Sequence, residues 1–297
     1  MRLRVATRGS RLSLLQVRIA MGYLSQRLGE SIDYELVVVR TKGDEVQDRP
    51  ISQIGVKGVF EREVNRAVLN NEADIAVHSL KDLPSELSGG LDVLALPPRD
   101  PPNDSLAYGK APVRSVEEIP KGSSVGTSSV RRAAFVLSRN PDVEIRLVRG
   151  NVDTRVRKLK EGQVDYEVLA EAGLRRLGID VSRVVLPLEY FPPEPGQGLI
   201  AVVAPVDSPI AAMLSRATDP LSMVMARAER SFVSTLRAGC GSPVGGVSQP
   251  LGDRLIFIAG TARQDGSSMA VIRLRGDSSR PEDLGVRAAE ELRRLMG

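Results

Sequence analysis

The amino-acid sequence predicts two α/β domains followed by a small α+β domain. Through most of the chain, short apolar runs of strand length alternate with stretches of helical periodicity. Two proline-rich passages, 97–105 and 187–198, interrupt this alternation and indicate that the chain crosses between domains. The last segment changes to a helix, a glycine-rich loop, two strands and an amphipathic helix, which is typical of a separate α+β unit. The predicted domains are 1–99 with 198–217, 100–197 and 218–297.

The composition is that of a globular protein that favours anionic partners. Of the 297 residues, 42% are hydrophobic and 26% are charged, and the formal net charge is +4. Aromatic residues make up only 3%, so the stacking platforms of nucleic-acid binders are not expected. Arginines at predicted loop ends favour a small polyanion as the ligand instead.

Cysteine and histidine usage narrows the possible chemistry. The chain has one cysteine, Cys240, and one histidine, His78, so an internal disulfide is excluded and a zinc site is not expected. No apolar run approaches the ~20 residues of a membrane span. The N-terminal residues lack a signal-peptide pattern. We therefore expect a cytoplasmic protein without a protein-held metal.

The first domain begins with a junction suited to an anion. A strand over 2–6 runs through the turn 7–10 into a helix whose apolar residues recur at helical spacing. Arg8 and Ser10 lie at this junction, where exposed N–H groups of a helix start attract anions. The remaining elements expected before the first proline-rich passage are strands at 34–39, 73–77 and 91–96 and a helix at 59–70.

A polar stretch, 41–58, separates the second strand from the second helix. It contains glycines and lacks a clear period. Such a stretch is typical of a mobile loop that covers a site, and equally of a plain surface loop. The sequence leaves both interpretations open.

The residues after the strand at 73–77 include the candidate catalytic group. Asp82 is an acidic residue at a predicted ligand edge that is rich in arginines. Such a carboxylate can stabilise a developing cation or move protons. The alternative is a solvated pair with Lys81, which would contribute little. His78 is more typical of a packed core residue than of a general base.

The second domain contains an arginine-rich segment that begins at Gly126. The sequence Gly-Thr-Ser-Ser, 126–129, is suited to capping a helix, and Ser129 can add a hydroxyl donor for an anion. Arg131 and Arg132 follow in the first turn, where the helix dipole disfavours a cation. We therefore expect a negative group beside them.

A second strand-to-helix junction follows within the same segment. A strand at 145–148 ends at Arg149, and Asn151 can cap a helix whose first turn carries Arg155. Two such junctions predict a site for a ligand with several carboxylates or phosphates at one edge of a parallel sheet. A solvated basic surface is the alternative.

Further strands are expected in the second and last domains, and the strand at 199–204 returns to the first domain. Cys240 lies in a loop with four glycines, which favours an accessible thiol over a buried inert one. The strands are expected at 123–126, 164–169, 184–188, 199–204, 255–261 and 269–275, and the helices at 220–237 and 281–296.

Six short motifs stand in a fixed order along nearly the whole chain. They are T-R-G-S at 7–10, A-D-I-A-V-H-S-L-K-D-L-P at 73–84, G-T-S-S-V-R-R at 126–132, R-G-N-V-D-T-R at 149–155, P-G-Q-G at 195–198, and G-C at 239–240 with Pro243 and Gly245. Each motif alone is weak, but together they resemble the porphobilinogen deaminase family, also called hydroxymethylbilane synthases, of tetrapyrrole biosynthesis.

The resemblance implies a transferase that condenses four porphobilinogen molecules head to tail and releases ammonia. Cys240 would hold a covalent dipyrromethane cofactor through a thioether, and Asp82 would be the catalytic residue. No metal or nucleotide is implied. Residues implied to bind carboxylates of the cofactor and the growing chain are Arg8, Ser10, Lys81, Ser129, Arg131, Arg132, Arg149, Arg155 and Arg176.

The resemblance also implies an architecture. The first two domains would be hinged, periplasmic-binding-protein-like α/β domains around a central cleft, and the third would present the cysteine loop. The expected partners are porphobilinogen and the growing polypyrrole chain, without nucleic acid or membrane. We expect a monomer, because no long exposed apolar helix requires a partner.

Five positions depart from the pattern usual in the resembled family. Val56 and Ala238 replace glycines, and Tyr166 and Glu167 interrupt a strand that is usually small and apolar. Glu194 precedes the Pro-Gly-Gln-Gly turn. We expect these departures to alter loop dynamics and local packing and to touch none of the charged motif positions.

Two other classes of protein are compatible with parts of this pattern. Hinged α/β domains also describe non-catalytic solute-binding proteins, but that class leaves Cys240 and the third domain without a role. A nucleic-acid binder would carry its basic residues in one open stripe, and its binding affinity would fall steeply with increasing salt concentration.

Overall fold

The computed structural model describes residues 2–39, 59–109, 111–237 and 242–296. The stretch 41–58 and the candidate residue Cys240 lie outside the described residues. Over the described ranges, no helix combines the length and apolar character needed to cross a membrane.

Contacts divide the chain into two compact units. The first comprises Met1–Asp100 and Gly198–Arg227, and the second comprises Pro101–Gln197 and Ala228–Gly297. The predicted division into three domains stays a prediction.

The first unit is built on a five-stranded mixed sheet. Its strands are β1 (Arg2–Arg8), β2 (Asp33–Val39), β3 (Ile75–Ser79), β4 (Leu91–Ala95) and β10 (Ile200–Pro205). Their order is β2-β1-β3-β10-β4; β1 is parallel to β2 and β3, and β10 is antiparallel to β3 and β4. Because β1 and β3 are parallel, their carboxyl ends lie at the same sheet edge.

Helices cover both faces of this sheet. They are α1 (Arg11–Leu28), α2 (Val59–Leu69) and α6 (Ala211–Ala217). Strand alternation sends Ile75 and Val77 into one hydrophobic cluster and Ala76 into the other. Both faces are therefore buried, which explains why β3 is a continuous apolar run in the sequence.

The second unit contains a similar five-stranded sheet. Its strands are β5 (Asp104–Tyr108), β6 (Ser124–Gly126), β7 (Glu144–Arg146), β8 (Tyr166–Ala170) and β9 (Arg183–Val185). The strand order is β7-β6-β8-β5-β9. Strand β6 is parallel to both β7 and β8, whereas β5 is antiparallel to both β8 and β9. The associated helices are α3 (Val130–Arg139), α4 (Val152–Lys160) and α5 (Glu171–Leu177).

Strand β5 was not expected from the sequence. Its first residues belong to the proline-rich passage that we interpreted as a domain crossing. Leu106 and Ala107 nevertheless alternate between the two hydrophobic clusters of this sheet. The strand is thus fixed by pairing with β8 and β9, which a local pattern does not reveal.

The second unit also includes a three-stranded antiparallel sheet. Helix α7 (Pro220–Leu236) leads to β11 (Val244–Leu251), β12 (Arg254–Ala262), β13 (Met269–Asp277) and α8 (Pro281–Met296), and the strand order is β11-β12-β13. These three sheets and their helices confirm the predicted fold class of two α/β portions and a small α+β portion.

Strand β11 was also missed, because its glycines suggested only a loop. A Cβ atom on Gly245 would lie 2.1 Å from the carbonyl oxygen of Pro192, and one on Gly246 would lie 2.7 Å from the Phe232 ring. The glycines therefore permit close packing of a strand rather than a turn.

Candidate functional site

In the first unit, Arg8 and Ser10 lie at the carboxyl end of β1. Ser10 is the N-cap of α1, and its Oγ accepts a hydrogen bond of 3.1 Å from the Ser13 N–H group. Arg8 is half-buried and its charge affects neighbouring His78. The structure thus places both residues at the junction that the sequence predicted.

His78 is a buried residue near the end of β3. Its Nε2 atom lies 2.9 Å from Oδ1 of Asn65 on α2. Burial, assisted by the positive charge of Arg8, lowers the pKa of His78 to about 3. The imidazole is therefore neutral at physiological pH, in agreement with a packed core residue.

Lys81 and Asp82 lie in a single 3-10 turn, Leu80–Asp82, directly after β3. The Leu80 N–H group donates to the carbonyl oxygen of Leu199 on the neighbouring chain segment at 3.0 Å, which fixes the start of the turn. Leu80 is buried, whereas the Asp82 side chain is exposed. The fold thus holds the Asp82 carboxylate at the surface, directly after the end of β3.

Glu61 on α2 is an acidic neighbour that sequence analysis missed. Its side chain is buried, and burial raises its pKa. The negative charge of Asp82 raises that pKa further. Helical periodicity alone places Glu61 on α2 but does not show that its pKa is affected by the charge of Asp82.

In the second unit, α3 begins with the predicted cap. Ser129 Oγ accepts a hydrogen bond of 3.4 Å from the Arg132 N–H group, and Thr127 Oγ accepts one of 3.1 Å from Ser129 N–H. This cap directs the side chains of Arg131 and Arg132 towards the protein, where both are buried. The negative group expected beside them is part of the chain itself.

That negative group is Asp104, the first residue of β5. Its Oδ2 lies 2.8 Å from Arg131 Nη2, and its Oδ1 lies 2.7 Å from Arg132 Nη2. Gln197 donates to Oδ1 at 2.9 Å. Burial alone would raise the pKa of Asp104, but the two arginines and Gln197 hold it well below its usual range.

Arg131 is more completely enclosed than expected for a ligand-binding residue. Its side chain is 1% exposed, and it also donates hydrogen bonds to the Pro192 carbonyl oxygen at 2.9 Å and to Glu194 Oε2 at 3.3 Å. The expectation that the departures touch no charged motif position is therefore wrong, because Glu194 contacts Arg131 and Glu167 pairs with Arg155 once the fold brings them together. The predicted carboxylate-binding role of Arg131 stays a prediction, and its described contacts are within the protein.

Arg132 and Arg155 converge on one carbonyl oxygen. Arg132 Nη1 donates to Val168 O at 3.0 Å, and Arg155 Nη2 donates to the same oxygen at 2.9 Å. Arg155 Nε also donates to Oε1 of Glu167 at 2.6 Å. Burial lowers the pKa of Arg155 against the opposing effect of Glu167, and burial raises the pKa of Glu167 against the effect of Arg155.

Arg149 follows β7 and precedes the cap of α4. The Lys158 ammonium donates to its carbonyl oxygen at 3.1 Å. Gly150, with φ of 120°, makes the turn, and a Cβ there would lie 2.7 Å from the Thr154 side chain. The Nε atom of Arg149 is buried and has no hydrogen-bond partner among the described residues.

Arg176 lies on α5 and is half-buried. The neighbouring Arg175 pairs with Glu171, at 2.6 Å from Nε to Oε1. Glu171 also binds Arg183 at 2.8 Å and the Ser105 hydroxyl at 2.7 Å. Within the described residues, no group of three or more metal-ligating side chains is arranged to hold a metal ion.

The predicted site residues therefore form one group in each unit. Arg8, Ser10, Lys81 and Asp82 share the edge at the ends of β1 and β3, and the remaining described candidates lie beside β6, β7 and β8. The fold and these groups define an α/β protein with arginine-rich strand-to-helix junctions.

Comparison with known proteins identifies the family. Residues 3–211 match the family model described as "Porphobilinogen deaminase, dipyromethane cofactor binding domain", and residues 223–294 match "Porphobilinogen deaminase, C-terminal domain". The chain belongs to the porphobilinogen deaminase family. It is a transferase of porphyrin biosynthesis with a dipyrromethane cofactor, and the family's reaction yields hydroxymethylbilane.

Full-length relatives agree with this membership. A probable porphobilinogen deaminase of Hyperthermus butylicus is 48% identical over 99% of this chain and 97% of the relative. One of Pyrobaculum calidifontis is 48% identical over 99% of both chains. Among solved structures, the methionine-binding protein MetQ is 11% identical, with a TM-score of 0.45 over 73% of this chain and 89% of that one.

Proposed function

We propose that the family's reaction proceeds in this chain with Asp82 as the catalytic group and the arginines of both units as carboxylate-binding residues. The observation that carries this assignment is the convergence of Arg132 and Arg155 on Val168 O. Guanidinium groups held in fixed positions suit carboxylates, because they offer paired, directional donors. Porphobilinogen and the growing chain carry such carboxylates.

Asp82 is suited to act on the pyrrole units. Its carboxylate is exposed, while the turn that carries it is fixed by buried Leu80. A carboxylate in this position accepts hydrogen bonds from pyrrole N–H groups. It also stabilises the positive charge that develops on a porphobilinogen unit when ammonia leaves.

The donor set of the second unit fits a ligand with carboxylates. The buried Nε of Arg149, which lacks a partner among the described residues, supports this fit because such a donor is costly when left unpaired. Arg149, Arg155 and Arg176 would hold cofactor and substrate carboxylates, with Ser129 as a further donor. In the first unit, Arg8, Ser10 and Lys81 would do the same.

Cys240 is the proposed attachment point of the dipyrromethane cofactor. It follows the end of α7 by four residues in the sequence. When bound, the cofactor supplies the covalent primer to which porphobilinogen units are added. The proposal further includes a monomeric cytoplasmic enzyme without nucleic-acid or membrane partners.

The intact mass of the denatured chain after incubation with porphobilinogen tests this proposal. We expect the wild-type chain to gain the mass of two linked pyrrole units and the Cys240→Ser variant to gain none. The Asp82→Asn variant should acquire the adduct but show no turnover, because its exposed side chain is not needed for folding. An adduct on Cys240→Ser, or full turnover by Asp82→Asn, would contradict the respective assignment.

A further inference from the structure

Glu167 is a buried acid that the mechanism above does not use. Its side chain is fully buried, and Oε1 accepts the Arg155 Nε–H group at 2.6 Å and also contacts Arg155 Nη2. The second carboxylate oxygen, Oε2, has no hydrogen-bond partner among the described residues. Burying a carboxylate with one oxygen unpaired is costly, so the presence of Glu167 beside Arg155 requires a reason.

The position of Glu167 is set by the sheet. It lies on β8 opposite Gly126 of β6, and a Cβ on Gly126 would lie 1.9 Å from Glu167 Oε2. The absence of a side chain at Gly126 therefore makes room for the carboxylate. The same glycine begins the segment that leads to Ser129 and Arg132.

Glu167 determines which part of Arg155 remains available. Nε and Nη2 are used by Glu167 and by Val168 O. Among the described residues, Nη1 has no hydrogen-bond partner, and the Arg155 side chain is 12% exposed. A ligand carboxylate would therefore bind at Nη1 of Arg155. The positive charge of this guanidinium is already paired with the Glu167 carboxylate.

We propose that Glu167 is a positioning residue for Arg155, which fixes the orientation of the guanidinium and weakens its hold on ligand carboxylates. This inference rests on the proposed carboxylate-binding role of Arg155. Weak binding matters because the reaction adds four units in sequence, so carboxylates have to bind and leave repeatedly. An arginine without the buried counter-ion would retain them longer.

Kinetics of the cofactor-loaded enzyme separate the two proposed effects of Glu167, which are to orient the Arg155 guanidinium and to weaken its binding of carboxylates. Glu167→Gln keeps the acceptor for Nε–H but removes the charge, so KM for porphobilinogen should fall on the order of threefold to tenfold, with a lower kcat. Glu167→Leu removes the acceptor as well, so KM should not fall. An unchanged or raised KM in Glu167→Gln, or equal KM values in both variants, would overturn the proposal.

Glu171→Gln is the matched control. Glu171 is also a buried acid, but its partners Arg175, Arg183 and Ser105 are not among the proposed carboxylate-binding residues. Its substitution should lower stability and leave KM unchanged. If Glu171→Gln shifts KM as Glu167→Gln does, the effect belongs to general loosening of the unit, and the positioning role is refuted.

A second readout does not depend on turnover. Citrate, an unreactive tricarboxylate, should raise the melting temperature of Glu167→Gln more than that of the wild-type chain at equal concentration. Equal shifts would count against the proposal. If the wild-type chain neither acquires the adduct nor turns over, the proposed function fails, and the citrate comparison alone decides the effect of Glu167 on carboxylate binding.

Discussion

The single residue Asp104 is the buried counter-ion of two candidate site residues, Arg131 and Arg132. It is fully buried and binds both Arg131 and Arg132, and its pKa lies far below the usual range. Neither arginine could remain buried without a counter-ion, because an unpaired charge in the interior is costly. The buried positions of Arg131 and Arg132 therefore depend on Asp104.

Asp104→Asn should destabilise the protein strongly. The amide cannot neutralise two buried guanidinium groups, and breaking such a pair costs about 3–5 kcal/mol. Urea unfolding measures the loss. Glu144→Gln, which removes an exposed pair with Arg146, is the control and should change the free energy of unfolding by less than about 0.5 kcal/mol. Similar losses in the two variants would show that Asp104 is not a structural counter-ion.

At the scale of elements, α5 is held to its sheet by an ionic cluster. Glu171 in its first turn binds Arg175 on the same helix, Arg183 on β9 and Ser105 on β5. Burial works to raise the pKa of Glu171, but the hydrogen bonds from Arg183, Arg175 and Ser105 lower it from 4.5 to about 2. The cluster therefore links a helix and two strands through one ionised carboxylate.

This pKa shift predicts a dependence of stability on pH. Since the folded pKa is depressed, the stabilising contribution is fully present above about pH 4.5 and is lost as the pH falls towards about 2. Glu171→Gln should lower the melting temperature at neutral pH and flatten its decline within that acid range. Thermal melts at a series of pH values provide the measurement, with Glu161→Gln, from an exposed pair with Arg157, as the control. A variant that declines as steeply as the wild-type chain would contradict the assigned role.

At the scale of the whole molecule, Glu229 ties the C-terminal sheet to the rest of the second unit. This buried residue of α7 accepts hydrogen bonds from Gly196 N–H at 2.6 Å, Ser248 N–H at 2.8 Å and Ser248 Oγ at 2.9 Å. Gly245 also packs closely against Pro192. These contacts explain why strands β11–β13 belong to one compact unit with β5–β9.

Glu229→Ala should therefore loosen both sheets of the second unit together. Its loss leaves three donors without an acceptor, at a cost of about 1–3 kcal/mol for each buried group. Amide hydrogen exchange should accelerate at Gly196 and Ser248 and also across β5–β9 and β11–β13. Glu290→Ala, at an exposed position of α8, should change none of these rates. Faster exchange restricted to β11–β13 would instead indicate that this sheet unfolds as a separate domain.

The local features of the site were predictable from the sequence. The strand-to-helix junctions at Ser10 and Ser129 and the position of Asp82 just after a strand depend on residues close together in the chain, so periodicity and capping patterns indicate them. The order of the six motifs, in turn, was sufficient to indicate the family. For the same reason, most strands of the two α/β sheets were expected at nearly their observed positions.

Only the tertiary structure decided how the arginines are used. Asp104 is 28 residues from Arg132, Glu194 is 63 residues from Arg131, and Gln197 is 93 residues from Asp104. The charge partners of a side chain depend on sheet order and strand pairing, which local sequence does not encode. The chain itself thus determined which residues are charged and where each junction begins, whereas the fold determined which of those charges are neutralised within the protein.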